Sequence, residues 1–230
     1  MTCFPKNVLP ENRHANKALL KNQEPRLASV SHNDAMGYTA AELAGARDRT
    51  VPDLLGPRTQ LLFVGINPGL WTAAAQAHFA RPGNRFYPAL LRAGIVDRLI
   101  DASAGYRAAD RRHLIERGLG ITNMVARATA RADELTSQEY VAGAAALTGR
   151  VAQIAPKVVA ILGVTAYRLG FGRPRARAGP QEETLSGARL WVVPNPSGLN
   201  AHSRLDDLAH AYREAAVAAD IEVIRCRASG

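Results

Sequence analysis

The chain has 230 residues, 47% hydrophobic and 21% charged, a balance that supports a packed core and excludes a disordered chain. It contains no apolar run of about eighteen residues, and its first twenty residues lack an apolar segment with a small-residue cleavage site, so neither a membrane-spanning helix nor a secretory signal is expected. The net charge of +9 favours a polyanionic partner such as nucleic acid.

The positive charge lies mainly in the later part of the chain. Residues 1–50 carry a net +2 and the remainder +7. Lys157 is the sole lysine after Lys21, so arginine supplies nearly all of that charge, and its planar donor fork suits phosphate. A GC-rich genome accounts for arginine over lysine, but not for the sign of the charge. Two cysteines, Cys3 and Cys226, are too few for a cysteine-only metal or iron–sulfur site. They indicate a reduced, cytoplasmic protein, with a disulfide between them as the alternative.

In chain order, residues 1–35 are polar and weakly patterned and read as a flexible extension, with a short helix around Ala15–Leu20. The domain is expected over 36–225. Thr39–Ala44 reads as a short helix with Thr39 as N-cap, Glu42 completing a capping box and Gly45 as the stop. Leu61–Gly65 reads as the first strand, followed by a long irregular segment. Helices are predicted near Arg85–Ala93 and Arg107–Arg117, and a short strand at Gly120–Val125. Ser137 is the expected N-cap of a helix reaching Ala155. Val158–Leu162 reads as a buried strand, with a short helix through Tyr167. Leu190–Val193 is the expected fourth strand, Ser203–Ala219 the last helix, and Ile221–Ile224 an edge strand or a tail. Strands alternating with helices predict a three-layer α/β/α domain with a small, mostly parallel sheet of four to five strands.

In such a sheet, ligands bind beyond the carboxyl ends of the strands. The unusual turns all fall there: Gly65–Gly69, Thr122–Arg127, Gly163–Tyr167 and Pro194–Gly198. Two repeat one design, an apolar run ending in a rigid asparagine turn: Leu61–Leu70 reads LLFVGINPGL and Trp191–Leu199 reads WVVPNPSGL. Glycine-rich dinucleotide and P-loop motifs are absent, as is the Gly-x-Ser-x-Gly elbow, and the six histidines show no metal-ligand spacing. The turns offer backbone N–H groups and an amide. An amide is no strong base, but it can orient a water where a good leaving group makes positioning sufficient. An Asx-type cap of its own turn is the other reading of Asn67.

Gly65-Ile66-Asn67-Pro68-Gly69, Asn84-Arg85-Phe86 and Pro194-Asn195-Pro196-Ser197-Gly198-Leu199 together resemble the mismatch-specific uracil-DNA glycosylases, the Mug and thymine-DNA glycosylase branch of the uracil-DNA glycosylase superfamily. The resemblance runs from about Gly37 to Ala219 and includes Ala160–Gly163 and Ala211–Glu214. It implies a monofunctional DNA glycosylase that flips a mismatched or damaged base out of double-stranded DNA and hydrolyses its N-glycosidic bond, as a monomer and without cofactor or metal. By the resemblance, Asn67 positions the attacking water. Phe79 stacks on the flipped base, or else packs in the core. Gly65, Ile66 and the backbone of Phe79–Ala80 line the base site. Asn195, Ser197 and Gly198 approach the DNA backbone, and Leu199 wedges into the stack, with Asn200 and Arg204 following.

Several positions qualify that picture. Gly69 leaves room for a 5-methyl group that a bulky aromatic would exclude. Asn123 stands where close relatives often carry lysine, and it either reads O4 and N3–H of uracil or caps its strand. No arginine follows Leu199 directly, which leaves mismatch preference open. The first motif lacks the aspartate of faster relatives, and Asp97 is either a substitute base or a surface charge at a helix end. Arg168–Arg177 reads as a mobile basic loop, gripping phosphate or merely solvated. The rival readings are a hydrolase of free nucleosides and a silent binder of mismatched or abasic DNA.

Overall fold

The computed structural model describes residues 37–198 and 203–224. The expectations for residues 1–35, Leu199 and Asn200 lie outside that range.

Five strands form one sheet: β1 Leu61–Gly65, β2 Leu119–Asn123, β3 Val158–Leu162, β4 Gly179–Leu185 and β5 Ala188–Val193. Their order is β2-β1-β3-β5-β4, all neighbours being parallel except β4, which runs antiparallel to β5. The chain first lays β2 on one side of β1 and then β3 on the other, so the strand order reverses at β1. A switch of this kind leaves a crevice at the carboxyl ends.

β1, β2 and β3 are buried at every position, as strands covered on both faces must be. Alternate residues feed two cores. Leu61, Phe63, Ala160 and Leu162 pack on one face with Phe86, Leu90 and Tyr212. Those partners come from α3 Phe86–Arg92 and α7 Leu205–Ala218. Leu62, Val64, Val159 and Ile161 pack on the other face with Leu147, Val151 and Tyr167. These belong to α5 Ser137–Ile154 and α6 Val164–Phe171. The remaining helices are α1 Ala40–Ala44, α2 Leu70–Ala75 and α4 Ala108–Glu116. The three-layer expectation holds, and no helix among the described residues is long and apolar enough to cross a membrane.

The capping box of α1 forms as expected, Thr39 Oγ1 accepting from the Glu42 N–H. Four local readings need correction. Thr136, not Ser137, caps α5, because Glu139 stands three residues beyond Thr136 and returns the bond to its N–H. Within the expected irregular stretch, Leu70–Ala75 is helical. Arg168–Phe171 continues α6, which stops at Gly172 in the left-handed conformation, so only the later part of the basic stretch is a loop. β4 was not anticipated. Its exposure alternates along an edge, and its residues are polar where an internal strand would be apolar. The segment Ile221–Ile224 is a tail tied to Gly94 by the Ile224 N–H at 2.7 Å.

Candidate nucleobase and DNA site

A cavity of about 840 Å³ opens at the carboxyl ends of β1, β2, β3 and β5. That is room for a nucleotide-sized ligand. Gly65, Ile66, Asn67, Gly69, Phe79, Asn123, Asn195 and Ser197 all line it, so both asparagine turns face one space.

The first turn is locked by an extension of the sheet. Beyond the last ladder pair, Met124 N–H donates to Gly65 O, Val125 N–H to Ile66 O and Thr129 N–H to Pro68 O. The turn after β2 therefore runs beside the turn after β1. Asn67 does not cap its own turn. Its Nδ2 donates to Arg127 O at 3.1 Å and to Thr129 Oγ1 at 2.7 Å. Thr129 spends its own hydroxyl proton on Arg131 O at 2.7 Å, so toward Asn67 it can only accept. The amide is thereby held one way round. Both Nδ2 hydrogens are used, and Oδ1 has no hydrogen-bond partner among the described residues. An acceptor fixed in this way can hold and orient a water.

Arg127 is itself clamped by Glu139 and Asp48, and that pairing draws the Glu139 carboxyl down to about 2. One capping glutamate thus fixes both the start of α5 and the loop that carries the carbonyl partner of Asn67.

Phe79 forms the aromatic wall. Its ring stacks on Phe86 with centroids 4.0 Å apart and planes 25° apart, and Phe86 in turn meets Phe63 edge-on. Phe79 has φ +55°, a left-handed conformation costly for an aromatic residue, so the surrounding packing must hold it there. Ala80 is buried behind it. A Cβ added to Gly65 would lie 2.5 Å from Asn123 Oδ1 and 3.4 Å from the Phe79 ring, so glycine there lets amide and ring share one wall. A Cβ on Gly69 would meet nothing within 4 Å among the described residues.

The second turn is built differently. Asn195 Oδ1 accepts from the Ser197 N–H at 2.9 Å, closing an Asx turn. Arg85 holds that turn from outside. Its backbone N–H donates to Pro196 O at 3.1 Å, and its guanidinium donates to Ser197 O at 3.1 Å and to Ser203 O. The Tyr212 hydroxyl donates to Pro194 O at 3.2 Å. Gly198 sits where a Cβ would crowd Gly83 O at 3.2 Å. Arg204 is exposed ahead of α7 and outside the cavity lining.

Asp97 is not part of the site. It is 57% exposed and pairs with Arg98 and with His113 at 3.2 Å. His113 lies in the last turn of α4, which leads into the start of β2, so Asp97 belongs to the opposite end of the sheet. The carboxylate among the cavity-lining residues is Asp133, ion-paired with Arg131 at 2.6 Å. Lys157, the single lysine among the described residues, precedes β3 at that opposite end and pairs with Asp220 at 2.9 Å.

Sequence reading missed the residues that hold the site together: Thr129, Arg127, Arg85 and His78. Arg85 had a signal, since it lies inside a motif quoted for the resemblance. The others act across long sequence separations that no local pattern reveals.

An α/β domain with an aromatic wall, a fixed amide and a second small-residue turn around a nucleotide-sized cavity has the form of a base-binding hydrolase. The family model described as "Uracil DNA glycosylase superfamily" matches residues 52–217, and the chain belongs to that superfamily. It is accordingly a DNA glycosylase, a hydrolase of N-glycosidic bonds. A solved structure similar to it is the solution NMR structure of a Methanosarcina acetivorans protein provisionally described as a uracil DNA glycosylase. The two share 16% identity over 72% of this chain and 98% of that one, with a TM-score of 0.48.

Proposed function

We propose that the chain is a monofunctional pyrimidine-DNA glycosylase of the mismatch-specific branch, which flips uracil out of mismatched duplex DNA and hydrolyses its glycosidic bond. The observation that carries this reading is the fixed Asn67 amide, whose Oδ1 has no partner among the described residues, in a residue that lines the same cavity as Phe79. A stacked base hides its glycosidic bond, so the nucleotide must leave the helix, and a mismatched pair costs less to open. Phe79 then stacks on the extruded ring. As the bond breaks, the sugar becomes oxocarbenium-like and the base departs as an anion stabilised by backbone donors around Ile66 and Phe79. Asn67 Oδ1 accepts from the attacking water and holds it against C1′, so positioning does most of the work.

Asn195, Ser197 and Gly198 approach the DNA backbone, small enough for close contact, and Leu199 fills the vacated stack. Glycine at 69 leaves space beside the base, so thymine is accepted less well than uracil but not excluded. No lysine amine among the described residues lies near the cavity to form a Schiff base, which favours hydrolysis without strand cleavage. The test is release of base from duplexes carrying single G·U, A·U and G·T pairs and from single-stranded uracil, with alkali revealing abasic sites. Fastest release from G·U supports the reading. Equal release from G·U and A·U removes the mismatch preference, and strand breaks without alkali remove the monofunctional assignment.

A further inference from the structure

Beside the cavity, a buried histidine holds the second amide. His78 is 1% exposed and precedes Phe79. Its Nε2 lies 3.0 Å from Pro52 O, and its Nδ1 lies 3.3 Å from Asn123 Nδ2. A carbonyl oxygen can only accept, so Nε2 carries a proton. Burial draws the imidazole down to about 4, against the opposing pull of the Pro52 carbonyl and the Asp53 charge, so the ring is neutral at physiological pH. Nδ1 is then a bare acceptor, and the group facing it must be an N–H donor. The Asn123 amide nitrogen therefore turns toward His78, and Oδ1 lies over Gly65 beside the Phe79 ring. The backbone that carries the ring is held as well: Tyr106 Oη accepts from the His78 backbone N–H at 3.2 Å, and Tyr87 Oη donates to the His78 backbone carbonyl at 2.8 Å. The Asn123 backbone is held by Arg150, which donates to Asn123 O at 2.7 Å.

We propose that His78 is a positioning residue that sets which way round the Asn123 amide faces the bound base, and thereby selects a 4-oxo pyrimidine with N3–H over cytosine. The proposal rests on the reading of this cavity as a pyrimidine site. With Nδ2 anchored, Oδ1 accepts from N3–H and the second Nδ2 hydrogen reaches O4. A flipped amide presents the same two groups in reverse order and matches the N3 acceptor and 4-amino donor of cytosine. Resisting that flip makes the amide a discriminator, because the wrong base then leaves buried polar groups opposed.

Two measurements test this. Long-range ¹H–¹⁵N NMR on the full chain reads the tautomer directly. A neutral ring protonated at Nε2 is expected between about pH 5 and 8, and a ring protonated at Nδ1 or an imidazolium overturns the proposal. Uracil and cytosine release from mismatched duplexes is then compared for His78→Phe, which offers no acceptor, and His78→Asn, whose amide oxygen can occupy the Nδ1 position. His78→Phe is expected to lower the uracil-over-cytosine ratio by about tenfold or more, and His78→Asn to restore most of it. In an Asn123→Ala background, His78→Phe should add less than about a twofold change. An equal loss in that background, or an unchanged ratio in the single variant, overturns the proposal. A wild-type chain that releases no base refutes the glycosylase reading instead, and the tautomer still decides the orientation of Asn123.

Discussion

At the scale of single residues, the site is a set of hydrogen bonds whose direction is forced. Thr129 Oγ1 can only accept from Asn67 because its proton is committed to Arg131 O. Asn67 itself was legible: an amide on a proline-locked turn after an apolar strand stands out in any reading. Its anchors were not, since Arg127 and Thr129 lie 60 and 62 residues away and carry no motif. Asp97 was left between a substitute base and a surface charge, because nearness in sequence to the first motif says nothing about which end of the sheet a side chain joins, and its exposure and pairing agree with the surface charge. Gly69 gives a prediction at this scale. Its φ of −74° suits any residue and the space around a Cβ is open, so Gly69→Tyr should fold normally and fill the room beside the base. Thymine release should fall at least roughly tenfold more than uracil release, measured as single-turnover rates on G·T and G·U duplexes. An equal fall in both would mean that Gly69 does not face the 5-position.

At the scale of elements, apolar content decided what could be read. β1 and β3 announce themselves as buried runs, and α1 through its capping box. β4 hides because an edge strand is polar on its open face, as the exposed Glu182 of Gly179–Leu185 shows. Thr136 and Ser137 are both plausible caps by type, and only the reach of Glu139 decides between them. α5 offers a paired test of how it seats against the site. Gly149 is exposed with nothing near a Cβ, so Gly149→Ala should stabilise the protein by about 0.5–1 kcal/mol. A Cβ on Gly143 would lie 2.7 Å from Met124 O, in the segment that extends the sheet beside the first turn. Gly143→Ala should therefore destabilise, by about 1–3 kcal/mol, and slow base release as well. Urea denaturation of the two variants checks the opposite signs.

For the whole molecule, alternating elements predicted a parallel sheet, but not its order, because nothing local says that β3 joins β1 on the side away from β2. The net charge of +9 is likewise legible as a sum and not as a surface. The register of β4 with β5, Gly179 opposite Val192, brings the 172–178 loop out at the carboxyl end of β5. Arg175 and Arg177 there make no side-chain hydrogen bond or ion pair with any described residue, whereas Arg173 is held by Glu183. Global stability should depend on pH through His78. Its folded value of about 4 lies below the ordinary 6.5, so within that window the unfolded chain binds a proton that the native chain refuses. Stability is then complete above 6.5 and declines as pH falls toward 4, by about 3 kcal/mol at roughly 1.36 kcal/mol per unit. The ion-paired Glu139 and Glu183, both drawn down to about 2, lose their contribution in a separate, lower window, as pH falls from 4.5 to 2. Urea midpoints followed from pH 7 to 4.5 should fall in the wild type and stay flatter in His78→Asn.

The central claim is that the fixed Asn67 amide activates water against a flipped uracil. Its most direct test is single-turnover base release from a duplex with one G·U pair, by the wild type and by Asn67→Ala, with affinity for the same duplex measured alongside. The account predicts release by the wild type and a loss of at least about 100-fold in the variant, with affinity changed by no more than a few-fold. Release by Asn67→Ala at the wild-type rate, or none by a wild type that binds the duplex, would contradict it.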